Sequence, residues 1–262
     1  MNLEAVQWLS FRAALERGVG IPLGQYKEAQ MKRRLASLME RRGYSSWAEF
    51  EQGIIGNSTL LADVHDTLTI NVSEFFRQPD RFDDLRNVHI PNLLKVRERL
   101  RFWSAGCSIG CEPYSLAMML DEMDAASAHT ILGTDIDLRS LRQSRDGSGY
   151  SSAEVRGVPP ALSAKYLTRA GETYAVNDAL KRRVSFRRHD LLSDPYPNGV
   201  DVILCRNVVI YLTDEAKQHI YAGFAKALRP GGLLFVGGSE MIMKPQQIGF
   251  RSTGLGMYQR AA

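Results

Sequence analysis

The chain has 262 residues, of which 44% are hydrophobic and 24% charged, and its formal net charge is +4. This length and composition allow one large domain or two smaller ones with a packed core, and they exclude a disordered protein. The mildly basic charge favours acidic partners but lies well below the Lys and Arg content of a dedicated nucleic-acid binder.

Residues 1–82 have the pattern of a helical domain. Apolar residues recur there at the spacing of one buried helical stripe, at Met31, Leu35, Leu38 and Met39. Three cations follow at heptad spacing along the flank of that stripe, namely Lys27, Arg34 and Arg41. They favour either a docking surface for an acidic partner or an ordinary solvated helix face, and both interpretations stay open.

A short motif, Asn71-Val72-Ser73-Glu74-Phe75-Phe76-Arg77, lies near the end of this region. Asn71 could be the N-cap of a helix with Glu74 three residues later, as in a capping box. The two phenylalanines would then pack in a core. This structural interpretation gives Arg77 no role.

Residues 83–99 are expected to be a linker, and residues 100–262 a second domain. Short apolar runs alternate there with helical segments, at 100–105, 130–133, 184–186, 200–205 and 233–236. Because continuous apolar strands are buried on both faces, this alternation predicts a mostly parallel sheet covered by helices. The polar residues 149–183 predict an inserted subdomain, and residues 250–260 predict an additional edge hairpin.

The first two predicted strands end in residues that suit a nucleotide. A turn with Gly106 and Gly110 follows the first strand, and such a turn lets a ligand approach the backbone closely. Its spacing differs from the G-x-G-x-x-G fingerprint, so an ordinary tight turn is an equal alternative. Asp135 and Asp137 end the second strand, where an acid binds ribose hydroxyls, although either could instead cap the next helix.

Polar residues also follow the later strands. Asp190 comes after the strand that begins at Val184, where it could accept the exocyclic amine of adenine. Arg206 and Asn207 follow the apolar strand that ends at Cys205. Ligands of open α/β sheets bind at the carboxyl ends of the strands, where the strand order reverses. These residues are therefore candidates for one ligand site.

The three cysteines are Cys107, Cys111 and Cys205. No further Cys or His pair lies at ligand spacing, so no metal site is predicted, and the odd, sparse count favours a reducing compartment. The first residues lack a signal-peptide pattern, and no window approaches the roughly 18 apolar residues of a membrane span. We expect a cytoplasmic protein that is not an integral membrane protein.

Five motifs together make the chain resemble the chemotaxis receptor methyltransferases, the CheR family. In order, they are 71–77, Trp103–Ser115, Thr134–Asp137, Cys205–Tyr211 and Gly237–Glu240. The resemblance covers essentially the whole chain. It implies a Rossmann-like class I methyltransferase sheet with an N-terminal all-helical domain and a small inserted β subdomain. It also implies methyl transfer from S-adenosylmethionine to glutamate carboxylates of methyl-accepting chemotaxis proteins, with S-adenosylhomocysteine as the product.

The resemblance implies roles for individual residues. Positions that match cofactor contacts of the family are Asn71, Ser73, Arg77, Glu112, Asp135, Asp190, Leu191, Arg206 and Asn207. Among them, Glu112 and Asp135 match positions around the methionine amino end and the ribose. Arg77 and Tyr211 match positions near the transferred methyl group. The cations at Lys27, Arg34 and Arg41 would then dock the acidic, helical cytoplasmic region of a receptor.

Two features depart from the family pattern. The family usually has two acids before the proline, and here the first is Cys111. Since Glu112 remains, we expect cofactor binding to persist. The turn at Arg169–Glu172 is short beside members that hold a receptor's C-terminal tail, so tethering of such a tail stays open.

Two other functions are alternatives. We expect the chain to be a monomer. As the first alternative, a methyltransferase of the same fold could act on a small molecule, with the basic helix capping its pocket. A nucleic-acid-binding module is disfavoured, because the acids Glu112, Asp135 and Asp190 are expected at one rim and would repel a polyanion. A glutamate acceptor, with a pKa of about 4.3, is already ionised at neutral pH and needs no general base.

Overall fold

The computed structural model describes residues 3–19, 22–68, 73–123, 129–238 and 240–261. The chain divides into two compact units, one of residues 1–71 with 211–217 and one of residues 72–210 with 218–262. This boundary lies before the expected residue 82, because Phe75, Phe76 and Phe82 are buried in the core of the second unit.

The first unit is helical, as predicted. Its helices are α1 (Leu3–Val19), α2 (Glu28–Arg41), α3 (Trp47–Ile54) and α4 (Ser58–Leu68), with a 3-10 turn at Leu23–Gln25. Ser46 caps α3 by accepting the N–H of Glu49. Four aromatic rings of α1 and α3 pack against one another with neighbouring centroids 4.8–6.0 Å apart, namely Trp8, Phe11, Trp47 and Phe50. The predicted stripe of α2 is buried at Met31, Leu35 and Leu38 and half-buried at Met39.

The expected linker at 83–99 is mostly helical. Helix α5 (Pro79–Asp84) leads through a π-helical turn (Leu85–His89) into α6 (Ile90–Leu94). Leu85, Ile90 and Leu93 are buried in the core of the second unit. Burial of these apolar side chains keeps the segment packed on the sheet unit.

The second unit contains β1 (Arg101–Ala105), β2 (Thr130–Asp135), β3 (Leu167–Ala170), β4 (Thr173–Val176), β5 (Val184–Arg188), β6 (Val200–Cys205), β7 (Leu228–Val236), β8 (Phe250–Gly254) and β9 (Met257–Arg260). The helices that follow β1 along the chain are α7 (Cys111–Glu122), α8 (Leu138–Asp146), α9 (Ser152–Val155), α10 (Pro160–Tyr166), α11 (Asp178–Lys181) and α12 (Asp214–Ala227), with 3-10 turns at Val209–Tyr211 and Pro245–Ile248. Of these residues, 211–217 group with the first unit.

Seven strands form one sheet in the order β5-β2-β1-β6-β7-β9-β8. Pairing is parallel from β5 to β7, and the hairpin of β8 and β9 adds antiparallel strands at one edge, as predicted. The order reverses between β1 and β6, because β2 and β5 lie on one side of β1 while β6 and β7 lie on the other. The carboxyl ends of β1 and β6 therefore form the switch point at which open sheets bind ligands.

The inserted segment at 149–183 carries its own small β structure. Strands β3 and β4 pair in an antiparallel ribbon, which a backbone bridge between Tyr150 and Tyr174 ties to the start of the segment. The hydroxyl of Tyr166 lies 2.6 Å from Asp121 and 2.7 Å from Glu122, so α10 is held against the end of α7. Across the described part of the chain, no helix combines the length and the apolar character that crossing a membrane requires.

Candidate active site

The turn after β1 brings the backbone to the carboxyl edge of the sheet. Gly106 and Gly110 have φ values of +80° and +90°, a region that side chains disfavour. A Cβ at Gly106 would collide with the side chain of Val208. The N–H groups of Gly106 and Cys107 both donate to the carbonyl of Thr134, at 2.8 and 2.9 Å. The turn is thus fixed against the end of β2.

The two acids at the end of β2 have different tasks. Asp137 is the N-cap of α8, and its carboxylate accepts the N–H of Arg139 at 2.8 Å and the hydroxyl of Ser140 at 2.7 Å. Asp135 accepts the N–H of Ser108 at 2.8 Å and the N–H of Asp137 at 2.9 Å. Burial raises the pKa of Asp135, and the backbone hydrogen bonds oppose that rise. Because a carboxylate has about four acceptor positions, Asp135 can accept further donors.

Glu112 lies in the first turn of α7, where its half-buried carboxylate pairs with the buried Arg206 across the switch point. Its Oε1 accepts the hydroxyl of Ser104 on β1 at 2.7 Å, and its Oε2 lies 3.4 Å from Nη1 of Arg206 after β6. Burial raises the pKa of the Glu112 carboxyl, while the guanidinium of Arg206 opposes the rise. The pair joins the two strands between which the order reverses.

Arg206 also holds the segment that contains Arg77. Its Nη2 donates to the carbonyl of Arg77 at 2.5 Å and to Oε1 of Gln78 at 2.8 Å. The guanidinium lies over the ring of Phe235 at 4.6 Å and the ring of Phe82 at 5.4 Å. Its side chain is only 2% exposed. Arg206 is therefore a buried link between β6 and residues 77–78.

The capping-box interpretation of this segment is wrong for the residues that the structure describes. Residues 73–78 are not helical, and α5 begins only at Pro79. Phe76 and Gln78 have φ values of 51° and 58°, and the N–H of Phe76 donates to Oγ of Ser115 at 2.8 Å. These tertiary contacts override the local helix signal. Ser73 and Arg77 are half-buried, and Asn71 lies outside the described residues.

Asp190 and Leu191 lie in a tight turn beyond β5. The carboxylate of Asp190 accepts the N–H of Leu192 and the hydroxyl of Ser193, both at 2.9 Å. The carbonyl of Leu191 accepts the hydroxyl of Tyr196 at 2.6 Å. The side chain of Asp190 is thus used to shape its own turn, although each oxygen retains acceptor capacity.

Asn207 follows Arg206 in a left-handed conformation with a φ value of 60°. Its side-chain oxygen, Oδ1, is buried and has no hydrogen-bond partner among the described residues. Nε of Arg206 is likewise buried without an acceptor there. Buried polar atoms are seldom left unpaired, so these two atoms indicate a ligand or water at the carboxyl edge of the sheet. This edge, with Glu112, Asp135, Arg206 and Asn207, is called the rim below.

Glu240 is a site residue whose role the sequence analysis missed. It is 3% exposed, and its carboxylate accepts backbone N–H groups from Asn207, Val208, Val209 and Gly237. The motif Gly237–Glu240 supported only the family resemblance. The one signal in the sequence is an acid shortly after the apolar strand β7.

Tyr211 groups with the helical unit, together with the predicted docking cations. Its carbonyl accepts the N–H of Lys27 at 2.9 Å, and Tyr26 and Leu212 form a backbone bridge. Lys27 is the residue before α2. Arg34 is half-buried within α2, and burial lowers its pKa. Arg41 is exposed at the end of α2. The structure thus places Tyr211 at the start of the basic helix.

Cys111, at the position where the CheR family usually has an acid, lies in the apolar core and not among the polar groups of the rim. Cys111 is 1% exposed and belongs to the apolar core of the sheet unit. Burial raises the pKa of its thiol well above the ordinary value. A neutral side chain therefore suits this position, and Glu112 remains the acid that faces Ser104 and Arg206.

The rim fits S-adenosylmethionine by its donors and acceptors. Asp135 offers a carboxylate for two ribose hydroxyls, and Glu112 offers a negative charge for an ammonium group. Asn207 contributes an unpaired acceptor, and Arg206 an unpaired donor. The glycine turn allows close approach of a ligand to the backbone at Gly106.

Family models and known relatives match this chain over most of its length. A family model described as "CheR methyltransferase, SAM binding domain" matches residues 71–256, and one described as "CheR methyltransferase, all-alpha domain" matches residues 7–69. A "Chemotaxis protein methyltransferase" of Listeria monocytogenes is 40% identical over 92% of each chain. One of Pseudomonas putida, "Chemotaxis protein methyltransferase Cher2", is 35% identical over 92% of each chain. One of Pseudomonas aeruginosa, "Chemotaxis protein methyltransferase 1", is 36% identical over 88% of this chain and 89% of its own.

Proposed function

Because the chain belongs to the CheR family of S-adenosylmethionine-dependent methyltransferases, we propose that it methylates glutamate side chains of chemoreceptors. The product would be a glutamate methyl ester, as for a protein-glutamate O-methyltransferase. The observation that supports the proposal is the set of polar groups at the carboxyl edge of the sheet. Glu112 pairs with Arg206 across the switch point, Asp135 ends the neighbouring strand β2, and Arg206 and Asn207 each keep a buried polar atom without a partner among the described residues.

The proposed cofactor site has four parts around this rim. Ser73 and Arg77, with Asn71 before them, contact the cofactor from the N-terminal side. Glu112 would form an ion pair with the ammonium group of the cofactor, and Asp135 would accept hydrogen bonds from its ribose hydroxyls. Asp190 and Leu191, at the start of the turn beyond β5, are assigned to the adenine side. Arg206 and Asn207 complete the shell.

The chemistry assigned to the protein is positioning. When bound, the cofactor supplies a methyl group on a positively charged sulfur. The acceptor carboxylate is ionised at neutral pH, since glutamate has a pKa of about 4.3. The chain then needs no base, and its residues act by holding the reacting atoms in line at roughly 3–3.5 Å. Arg77 is assigned to ion pairing with the acceptor, and Tyr211 to orienting groups near the methyl.

The basic flank of α2 is the proposed receptor contact. Lys27, Arg34 and Arg41 would attract the acidic helical cytoplasmic region of a receptor and set its orientation. The exposed position of Arg41 supports this role, because a charge must be accessible to steer an encounter. We also propose that the enzyme acts in the cytoplasm as a monomer.

Transfer of labelled methyl groups to receptor-containing membranes tests the acceptor. We expect incorporation into receptor protein and release of volatile methanol after base treatment, because carboxyl esters are base-labile. A base-stable product would rule out glutamate esterification. Label in a small molecule, with none in protein, would instead favour a small-molecule methyltransferase of the same fold.

Arg77→Ala tests the site in the same assay. Loss of the guanidinium should lower the transfer rate on the order of 100-fold, as for loss of an electrostatic contact in an active site. Arg99→Ala is the matched control, because Arg99 is exposed. Equal rates for both variants would contradict the role of Arg77.

A further inference from the structure

The carboxylate of Glu240 accepts hydrogen bonds from the backbone of the loop that follows β6. Its Oε2 accepts the N–H of Asn207 at 2.6 Å and the N–H of Gly237 at 2.7 Å. Its Oε1 accepts the N–H of Val208 at 2.9 Å and the N–H of Val209 at 3.0 Å. Three consecutive amides of one loop therefore converge on a single side chain.

These four hydrogen bonds use the whole acceptor capacity of the carboxylate. An ionised carboxyl group has about four lone-pair positions and no donor. Glu240 is also 3% exposed, so it is not open to a ligand. Any effect of this residue on the cofactor must act through the loop that it holds.

The loop is in a conformation that needs such support. Asn207 has a φ value of 60°, which costs energy for a residue with a side chain. Three adjacent N–H groups pointing to one side would repel one another without a common acceptor. The charge-assisted hydrogen bonds to Glu240 supply that acceptor and hold the left-handed turn.

The same conformation directs the side chain of Asn207. Its Oδ1 is buried and has no partner among the described residues, and the same holds for Nε of the preceding residue, Arg206. Gly237 completes the arrangement, because a Cβ at that position would collide with Oε2 of Glu240. The strand end after β7 is thus shaped to admit the carboxylate.

We infer that Glu240 is a positioning residue for the cofactor, which acts by fixing the Asn207–Val209 turn so that Asn207 presents its amide at the rim. This inference rests on the proposed cofactor site. It assigns a role to an acid that touches neither the cofactor nor the acceptor.

Glu240→Gln tests the hydrogen bonds of the carboxylate most specifically, because it keeps the size of the side chain. One oxygen becomes an NH2 group, so two of the four backbone donors lose their acceptor and face another donor. We expect the dissociation constant for S-adenosylhomocysteine to rise by about 10-fold or more, because the unpaired buried donors disfavour the turn that presents Asn207. Gly237→Ala, which displaces the carboxylate from the other side, should raise it in the same direction.

Calorimetry and steady-state kinetics together separate this role from a loss of folding. All variants are measured well below their thermal midpoints, with Glu98→Gln as the matched control because Glu98 is exposed. We expect KM for S-adenosylmethionine to rise with the dissociation constant in Glu240→Gln, while KM for the receptor stays unchanged. A lower thermal midpoint with wild-type cofactor affinity would overturn the inference.

Asn207→Ala distinguishes this inference from the site proposal. If Asn207→Ala weakens cofactor binding and Glu240→Gln does not, the positioning role is refuted and the site stands. If neither variant weakens binding, the assignment of Asn207 to the cofactor shell is refuted too. Weakened binding in both supports the inference.

Discussion

The carboxyl edge of the sheet and the basic flank of α2 are both proposed to bind charged ligands, yet they are built differently. At the edge, Glu112, Asp135 and Arg206 are held by short hydrogen bonds to neighbouring strands and turns. On α2, Arg34 is half-buried and Arg41 is exposed on the helix surface.

The two surfaces therefore obtain their affinity in different ways. A fixed cofactor is best bound by groups that do not reorganise on binding. A large partner is attracted by charges that tolerate several orientations and are screened by salt. Substitutions at the edge should therefore have large effects with little salt dependence, and those on α2 small effects that salt abolishes.

The largest effect is expected from Arg206→Met. It leaves the carboxylate of Glu112 without its cation and frees residues 77–78, so the free energy of unfolding should fall by about 3 kcal/mol. Urea denaturation measures this loss. The double variant with Glu112→Gln should recover part of it, because the unpaired charge is then removed. Full stability of Arg206→Met would show that the edge is less preorganised than we argue.

A smaller effect is expected from Asp135→Asn. Loss of the charged acceptor should raise the dissociation constant for S-adenosylhomocysteine about 10- to 100-fold, since hydrogen bonds to charged groups contribute about 1.5–3 kcal/mol. Calorimetry at two salt concentrations gives this value and its salt dependence. Asp83→Asn serves as the control, because Asp83 is exposed. Equal affinities for the two variants would contradict the ribose role.

Cofactor affinity should also depend on pH. Burial raises the pKa of both Glu112 and Asp135, so these acids take up their protons at a higher pH than ordinary carboxyl groups do. Affinity should fall as the pH falls through the raised values, by at most about tenfold per pH unit for each proton taken up. Calorimetry across this range measures the slope, and Asp135→Asn should flatten it. A pH-independent affinity would count against both roles.

The stability of the ligand-free protein should change with pH in the opposite direction to its cofactor affinity. A carboxyl whose pKa is higher in the folded than in the unfolded state binds its proton more readily when folded. Between the ordinary and the raised values, the contribution of Glu112 and Asp135 to the free energy of unfolding therefore decreases as pH rises. Denaturation of the ligand-free protein and calorimetry of the cofactor should thus show opposite trends.

The smallest effect is expected from Arg41→Ala on α2. An exposed charge contributes about 0.2–1 kcal/mol, so KM for the receptor should rise by only about 2- to 5-fold. Methylation assays at low and high salt measure this change, which should vanish at high salt. Affinity for S-adenosylhomocysteine should not change. A salt-independent effect would mean that Arg41 acts by packing.

Regular structure was readily predicted from sequence where apolar residues are periodic. The run at 200–205 is strand β6, and the stripe of α2 is buried at Met31, Leu35 and Leu38. Boundaries were less accurate, since β7 begins at Leu228, before the predicted Leu233. Pro and Gly residues lie between Leu228 and Leu233 and indicate the end of a helix. Leu228 nevertheless pairs with Val200 of β6, so the strand begins there.

The site was predictable only in part, because its geometry depends on contacts between distant residues. The acids after β2 were found, and the structure assigns the capping role to Asp137. The conformation of residues 76–78 was not found, since it depends on Ser115 and Arg206. The hydrogen bonds of Glu240 have no periodic signal at all. Such long-range polar contacts leave no local pattern in the sequence.

A crystal structure with S-adenosylhomocysteine bound would locate the cofactor site. We expect ribose hydroxyls within hydrogen-bond distance of Asp135, and the amino-acid end of the ligand beside Glu112. We also expect Oδ1 of Asn207 to gain a partner at the rim. A ligand bound elsewhere, or a rim closed by side chains in the complex, would refute the proposed site.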